Sequence, residues 1–179
     1  AVSAAVLAAG CTAQNHPGPA TDVRTLLSPD GNMQMTFQLA ADGTPQYSLN
    51  YGEKKVILPS DLGFEFRGTV KATELSWEPD GAIGKKDALP SNSFHDGFEL
   101  ESAETSSFDE TWEPVWGEEA QIRNNYNELL VNLVQTSTGR KMAVRFRLYD
   151  DGLGFRYEFP AQKNLNYFVI KEELTRFAL

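Results

Sequence analysis

The sequence has 179 residues, which suits one domain of about 100–200 residues and is too short for a TIM barrel of about 250. Hydrophobic residues make up 41% and charged residues 23%, a balance that excludes a disordered chain. Sixteen Lys and Arg against twenty-five Asp and Glu give a net charge of −9, which repels phosphate backbones and argues against a nucleic-acid partner. No apolar run reaches the roughly 20 residues of a membrane helix.

Residues 1–10 are rich in Ala, Val and Leu and carry no charge; the first charged residue is Asp22. They read as the apolar part of a partial signal peptide, without the Met and basic residues that begin one. Ala8-Ala9-Gly10-Cys11 follows the bacterial lipobox pattern, in which small residues precede a Cys that is lipidated and becomes the N-terminus. The alternative is an ordinary cleaved signal followed by an incidental Cys. Cys11 is the single cysteine, which excludes an internal disulfide and a Cys-based zinc cluster. Residues 11–24, with Pro17, Gly18 and Pro19, read as a tether. His16 lies in that tether and reads as a solvated linker histidine rather than a metal ligand.

From residue 25 onward the pattern is period two, the signature of strands. Met33, Met35, Phe37 and Leu39 alternate with polar residues, Ala40-Ala41-Asp42-Gly43 turns the chain, and Tyr47, Leu49 and Tyr51 resume the alternation. This predicts a hairpin over 33–51. Gly52-Glu53-Lys54-Lys55 predicts a second turn before Val56-Ile57-Leu58, and Pro59 is expected to end that strand by removing a donor. Leu62, Phe64 and Phe66 make a short strand. Residues 67–97 are broken by Gly and Pro, with Lys85-Lys86-Asp87 as a solvated loop. Phe98 and Leu100 alternate with Glu99 and Glu101, and Leu129, Val131 and Leu133 form a further strand. Residues 118–125 allow one helical turn. Thr138-Gly139-Arg140-Lys141 turns the chain again. Met142, Val144, Phe146 and Leu148 then occupy one face, with Arg145 and Arg147 on the other. Asp150-Asp151-Gly152 predicts a tight turn with Gly152 at positive φ. Leu153, Phe155, Tyr157 and Phe159 complete an antiparallel hairpin, with Arg156 and Glu158 turned outward. Burying its apolar side chains contributes about 1.5–3 kcal/mol each. The fold class is therefore all-β, a sandwich or barrel of short antiparallel strands. The chain stops at Phe177-Ala178-Leu179, just after the strand-like Tyr167-Phe168-Val169-Ile170, which predicts that a longer chain has been cut here.

The chemistry is sparse. There is no Gly-x-Ser-x-Gly and no phosphate-binding glycine loop. His95, the only in-domain histidine, has no nameable nucleophile beside it and reads as structural. Adjacent acids such as Asp109/Glu110, Glu118/Glu119, Asp150/Asp151 and Glu172/Glu173 point to opposite faces of a strand and make poor acid/base pairs. Residues 108–118 differ: Trp112 and Trp116 stand four apart among acids, around Pro114, which argues against a regular central strand. Trp faces stack on sugar rings and carboxylates accept hydroxyl hydrogen bonds, which suits a carbohydrate site. The other reading is a fixed loop whose tryptophans pack on the core or on another domain.

These residues also carry a resemblance. Phe108-Asp109-Glu110-Thr111-Trp112 through Pro114-Val115-Trp116-Gly117-Glu118, Ile122-Arg123-Asn124-Asn125-Tyr126-Asn127-Glu128-Leu129 and Phe146 to Pro160 together resemble the N-terminal domain of glycoside hydrolase family 97. Leu27-Ser28-Pro29-Asp30-Gly31-Asn32 and Leu165 to Glu173 fit the same pattern. The match begins at about Leu26 and is closest to the α-glucosidases of bacterial starch-utilisation systems. Asn125 stands where the family often has His. The resemblance implies an antiparallel β-super-sandwich of the galactose-mutarotase type over residues 25–179, incomplete at its C-terminal end. It also implies a catalytic (β/α)8 barrel in the same polypeptide, α-linked oligosaccharide substrates, and calcium in the parent enzyme. The catalytic residues and calcium ligands are expected outside this chain. Trp112, Trp116, Arg123, Asn124 and Tyr126 are the expected carbohydrate or interface residues. Cys11 is the expected lipidation site, which implies export as a periplasmic or outer-membrane lipoprotein. Two other functions compete: a stand-alone carbohydrate-binding lipoprotein, and a structural domain that only supports the barrel.

Overall fold

The computed structural model describes residues 22–67, 75–77, 83–85 and 92–179, with side chains described outside the two short middle segments. The signal-like residues 1–10, Cys11, His16, Lys86 and Asp87 lie outside the described residues. Strand β1 (Arg24–Leu27) starts on the last residue assigned to the tether.

The first sheet is antiparallel in the order β1, β2 (Met33–Leu39), β3 (Pro45–Tyr51), β4 (Lys54–Asp61). The second runs β12 (Leu153–Glu158), β11 (Lys141–Leu148), β10 (Ile122–Gln135), β9 (Phe98–Trp112). A three-stranded sheet joins β13 (Ile170–Glu173), β5 (Phe64–Phe66) and β8 (Ser93–Phe94), and β6 (Leu75–Trp77) pairs with β7 (Ile83–Lys85). No helix forms among the described residues.

The alternation of apolar and polar residues decides which faces meet. Met35, Phe37, Tyr47 and Leu49 from the first sheet and Leu129, Val131, Leu133, Val144 and Phe146 from the second are buried in one cluster. Phe146 lies 6.1 Å from Phe37 and 6.2 Å from Tyr47, ring centre to ring centre. Phe64 and Phe66 of the third sheet extend the cluster to Tyr157 and Phe94. The sandwich is thus built on its inner alternation, as the sequence predicts for 33–51 and 142–159.

Four local expectations are corrected. Pro59 does not end β4; the strand continues to Asp61. It falls in a bulge between the pairs Tyr47↔Ser60 and Leu49↔Ile57, where a missing N–H removes no ladder bond. The edge of β4 is covered by residues 174–178: Arg176 N–H donates to Asp61 O (2.9 Å) and Leu58 N–H to Ala178 O (2.8 Å). Lys85 ends a strand rather than lying in a solvated loop. Residues 122–125 are strand, not helix, because they continue the ladder with β9. Gly152 is absent from the positive-φ glycines; the β11–β12 turn closes instead through Tyr149 N–H to Gly152 O at 2.8 Å.

Two glycines are needed where the sheets approach each other. Gly43 (φ +78°) sits so close to β9 that a Cβ would lie 2.5 Å from Phe98 N. Gly63 (φ +143°) would place one 2.5 Å from His95 Cα. Gln135, buried at the end of β10, locks the same corner. Its amide donates to Ser93 O and Asp96 O, both at 3.0 Å, and its carbonyl accepts from Thr138 Oγ1 at 2.7 Å.

Candidate functional site

The β9–β10 hairpin is the longest element, and its far half rises beyond the core. Its register runs from Gln135↔Phe98 to Ile122↔Trp112, with a bulge on β9 between Leu100 and Ser102. The segment 108–112, expected to be loop, is the end of β9; only residues 113–121 around Pro114 leave the ladder. Cross-strand pairing sustains the strand there without any core beneath it.

Alternation divides the predicted site residues between two faces. The face that continues the core carries Ser107, Asp109, Thr111, Arg123, Asn125 and Asn127. Arg123 donates twice to the Asp109 carboxylate, at 2.9 and 2.7 Å. That guanidinium holds the Asp109 carboxyl below its ordinary range. Ser107 Oγ donates to Asn127 Oδ1, and Asn127 Nδ2 donates to Leu27 O at 2.9 Å, tying the hairpin to β1.

The outer face carries Trp112, Asn124 and Tyr126, with Glu110, Ile122 and Phe108 beside them. Trp112 is 47% exposed and Tyr126 only 7%. Tyr126 packs between neighbours: Phe108 stacks on it at 5.3 Å, Tyr149 lies at 5.3 Å, and the Arg147 guanidinium sits 4.5 Å from its ring centre. Trp116, 88% exposed, stands in the loop at the tip with the fully exposed Val115. The structure therefore brings Trp112, Asn124 and Tyr126 together, puts Arg123 on the opposite face, and leaves Trp116 apart.

Below this strip runs a charged network that sequence reading only partly found. Glu128 accepts from Arg145 and from Arg147 Nε (2.8 Å), and Glu158 accepts from Arg145 Nε (2.6 Å) and Arg156 Nε (2.9 Å). Arg145 and Arg156 are directly paired across the strands, and Glu158 between them offsets the repulsion. Burial alone would raise the Glu128 carboxyl, but the bonds from Arg147 and Arg145 outweigh it and hold it below its ordinary range. Arg145 holds Glu158 low as well. The outward placement of Arg145, Arg147, Arg156 and Glu158 follows from their alternation; the partnership of Glu128 was hidden because β11 pairs it from 19 residues away.

His95 has a neighbour that sequence reading missed: Ser93 Oγ lies 3.2 Å from its Nδ1. Ser93 also donates to Asp96, so the three residues of this bend form a local turn network. Among the described residues no three His, Cys, Asp or Glu side chains are grouped to hold a metal.

A sandwich of this topology, with these motifs in its long hairpin, matches the family model described as Glycosyl-hydrolase 97 N-terminal, over residues 26–179. The chain belongs to this family. Two family 97 structures agree, both of a glycoside hydrolase family 97 enzyme from Pseudoalteromonas sp. strain K8, one in complex with panose and one with acarbose. Each is 32% identical to this chain, covers 87% of it, and superposes with a TM-score of 0.68. A β-arabinopyranosidase at 22% identity, covering 86% of this chain and 21% of its own length with a TM-score of 0.64, shares the fold. The family 97 domain described here spans 20% of the Pseudoalteromonas chain.

Proposed function

We propose that this family 97 domain is the N-terminal sandwich portion of an exported α-glycosidase, an α-glucosidase or α-galactosidase acting on oligosaccharides. Its catalytic (β/α)8 barrel would belong to the same polypeptide. The observation that carries this reading is the family match over residues 26–179, joined to 32% identity with an enzyme crystallised with panose and with acarbose. Glycoside hydrolysis takes two carboxylates, one of them an acid of raised pKa. Among the described residues, each carboxylate displaced from its ordinary range is displaced downward: Asp30, Asp42, Asp109, Glu128 and Glu158. These suit ion pairs and turns rather than proton donation to a leaving group, which supports placing the reaction on the barrel. The calcium implied by the family would be held outside the described residues. The test is the product of the complete reading frame, assayed on p-nitrophenyl α-glucoside and α-galactoside with calcium and with a chelator. Turnover of one of them, lost on chelation, is expected; inactivity on both α-glycosides removes the proposal.

Export and anchoring extend the same reading. A multiply acylated Cys11 would hold the protein at a membrane, because several acyl chains anchor stably where one binds only marginally. Cys11→Ser is expected to release the protein from the membrane fraction. Undiminished membrane association of that variant would exclude the anchor.

A further inference from the structure

The outer face of the β9–β10 hairpin holds three successive cross-strand pairs: Trp112↔Ile122, Glu110↔Asn124 and Phe108↔Tyr126. Trp112, Ile122 and Phe108 are exposed, while the buried Tyr126 stacks against Phe108 and supports it. Between the two aromatic positions, the Glu110 and Asn124 side chains take no part in any hydrogen bond or ion pair among the described residues. The other face of the hairpin is different, since Asp109 and Arg123 satisfy each other, as do Ser107 and Asn127. The Thr111 and Asn125 side chains on that other face are also unbonded among the described residues, but only the outer face sets free hydrogen-bonding groups between exposed aromatic rings.

We propose that this strip binds a linear, neutral α-glucan chain laid along the hairpin, with sugar rings on Trp112 and Phe108 and hydroxyls bonded to Glu110 and Asn124. The choice of an α-linked glucose polymer rests on the proposed α-glycosidase reading; the strip itself rests on the geometry. Pyranose rings present C–H faces that pack on aromatic faces, and their hydroxyls donate to a carboxylate and exchange bonds with an amide. Trp112 and Phe108 are four residues apart on one strand, about 13 Å, which spans more than one ring and selects a chain over a monosaccharide. Strand β9 carries Glu99, Glu101, Glu104, Asp109 and Glu110 and no Lys or Arg, so anionic polymers are repelled. An apolar protein surface docked here would strand the Glu110 carboxylate away from water without a partner, whereas sugar hydroxyls supply donors.

The experiment measures retention of the product of the complete reading frame on insoluble amylose, with acarbose present at saturation to occupy a catalytic pocket. Wild type is expected to be retained and to be displaced by maltoheptaose but not by glucose. Trp112→Ala and the double variant Glu110→Gln, Asn124→Ala should each weaken retention about tenfold or more. Lys171→Ala, on another sheet, should not, and circular dichroism confirms that each variant is folded. Equal retention of Trp112→Ala overturns the proposal. Acrylamide quenching, compared between wild type and Trp112→Phe without ligand, tests the other occupant: a shielded Trp112 means that a protein surface covers the strip, and this too overturns it. Hydrolysis of maltotriose by the same preparation separates the two readings. Hydrolysis with unaltered Trp112→Ala retention removes only the strip, and retention without hydrolysis removes only the α-glycosidase.

Discussion

Glu128 is an acid on the outer face of a sheet, yet it is 8% exposed, because Arg145 and Arg147 lie across it from the next strand. Charge-assisted bonds of this kind contribute more than exposed surface pairs, and losing the acid leaves Arg147 without its carboxylate. Glu128→Gln should destabilise the domain by about 1–3 kcal/mol, read from the urea midpoint. Glu128 and Glu158 are both held below their ordinary range in the folded state. Their contribution is therefore present above the unfolded carboxylate pKa and is lost as pH falls through the folded values. The acid limb of a stability–pH curve should be shallower in Glu128→Gln than in wild type, and identical limbs would contradict the network. Tyr157 titrates in the opposite sense. Burial pushes its phenol up to about 12, while its OH contacts Thr175 Oγ1 at 2.6 Å and accepts from Gly63 N–H at 3.3 Å. The folded state keeps a proton that the unfolded chain loses, so stability falls as pH rises from about 10 toward 12. Burial raises the Tyr47 phenol as well, so ultraviolet titration should show both tyrosines ionising late, and Tyr157→Phe should diminish that late step at a cost of about 1 kcal/mol.

At the scale of elements, the turns and edges decide stability. Gly43 joins β2 to β3 at positive φ and touches β9, so its side-chain space is already filled by Phe98 backbone. Gly43→Ala should cost at least about 2 kcal/mol, from strain and overpacking together. Gly152 has neither constraint: its φ is not positive and a Cβ would meet nothing within 4 Å. Gly152→Ala should change stability by less than about 1 kcal/mol and in the stabilising direction, because it removes freedom from the unfolded chain. Thermal melts of the two variants check the contrast, and equal losses would show that the turn geometries are misassigned. The edge of β4 is managed differently, with a bulge at Pro59 and residues 174–178 laid along it.

For the molecule as a whole, the prediction concerns catalysis. The chain of residues 1–179 by itself should hydrolyse neither p-nitrophenyl α-glucoside nor the α-galactoside, with or without calcium. A retaining site needs two carboxyl groups about 5–5.5 Å apart and an inverting one about 6.5–9.5 Å, with one acid raised in a water-poor setting. The displaced carboxylates described above lie beside cations and turn amides, which favours the ionised form: Asp30, Asp42, Asp109 and Glu158 on exposed or half-exposed positions, and Glu128 buried against two arginines. Turnover by the purified chain that survives further purification would relocate the active site into the sandwich.

The sequence determined the class of fold and its inner face by itself, because period-two alternation needs no partner to be read. Met35, Phe37, Val144 and Phe146 are buried where their parity puts them, and Arg145, Arg147 and Arg156 are turned outward. The motifs of residues 108–129 and 146–160 also sufficed to indicate the family. Tertiary structure decided the rest. The strand character of 108–112 and 122–125 comes from their pairing with each other, a non-local term that outweighs local propensity. That pairing, not the motif, separates Arg123 from Trp112, Asn124 and Tyr126, since one residue along a strand reverses the face. Glu128 shows the same limit: an acid in an apolar run acquires its meaning only from the cations that the neighbouring strand lays across it.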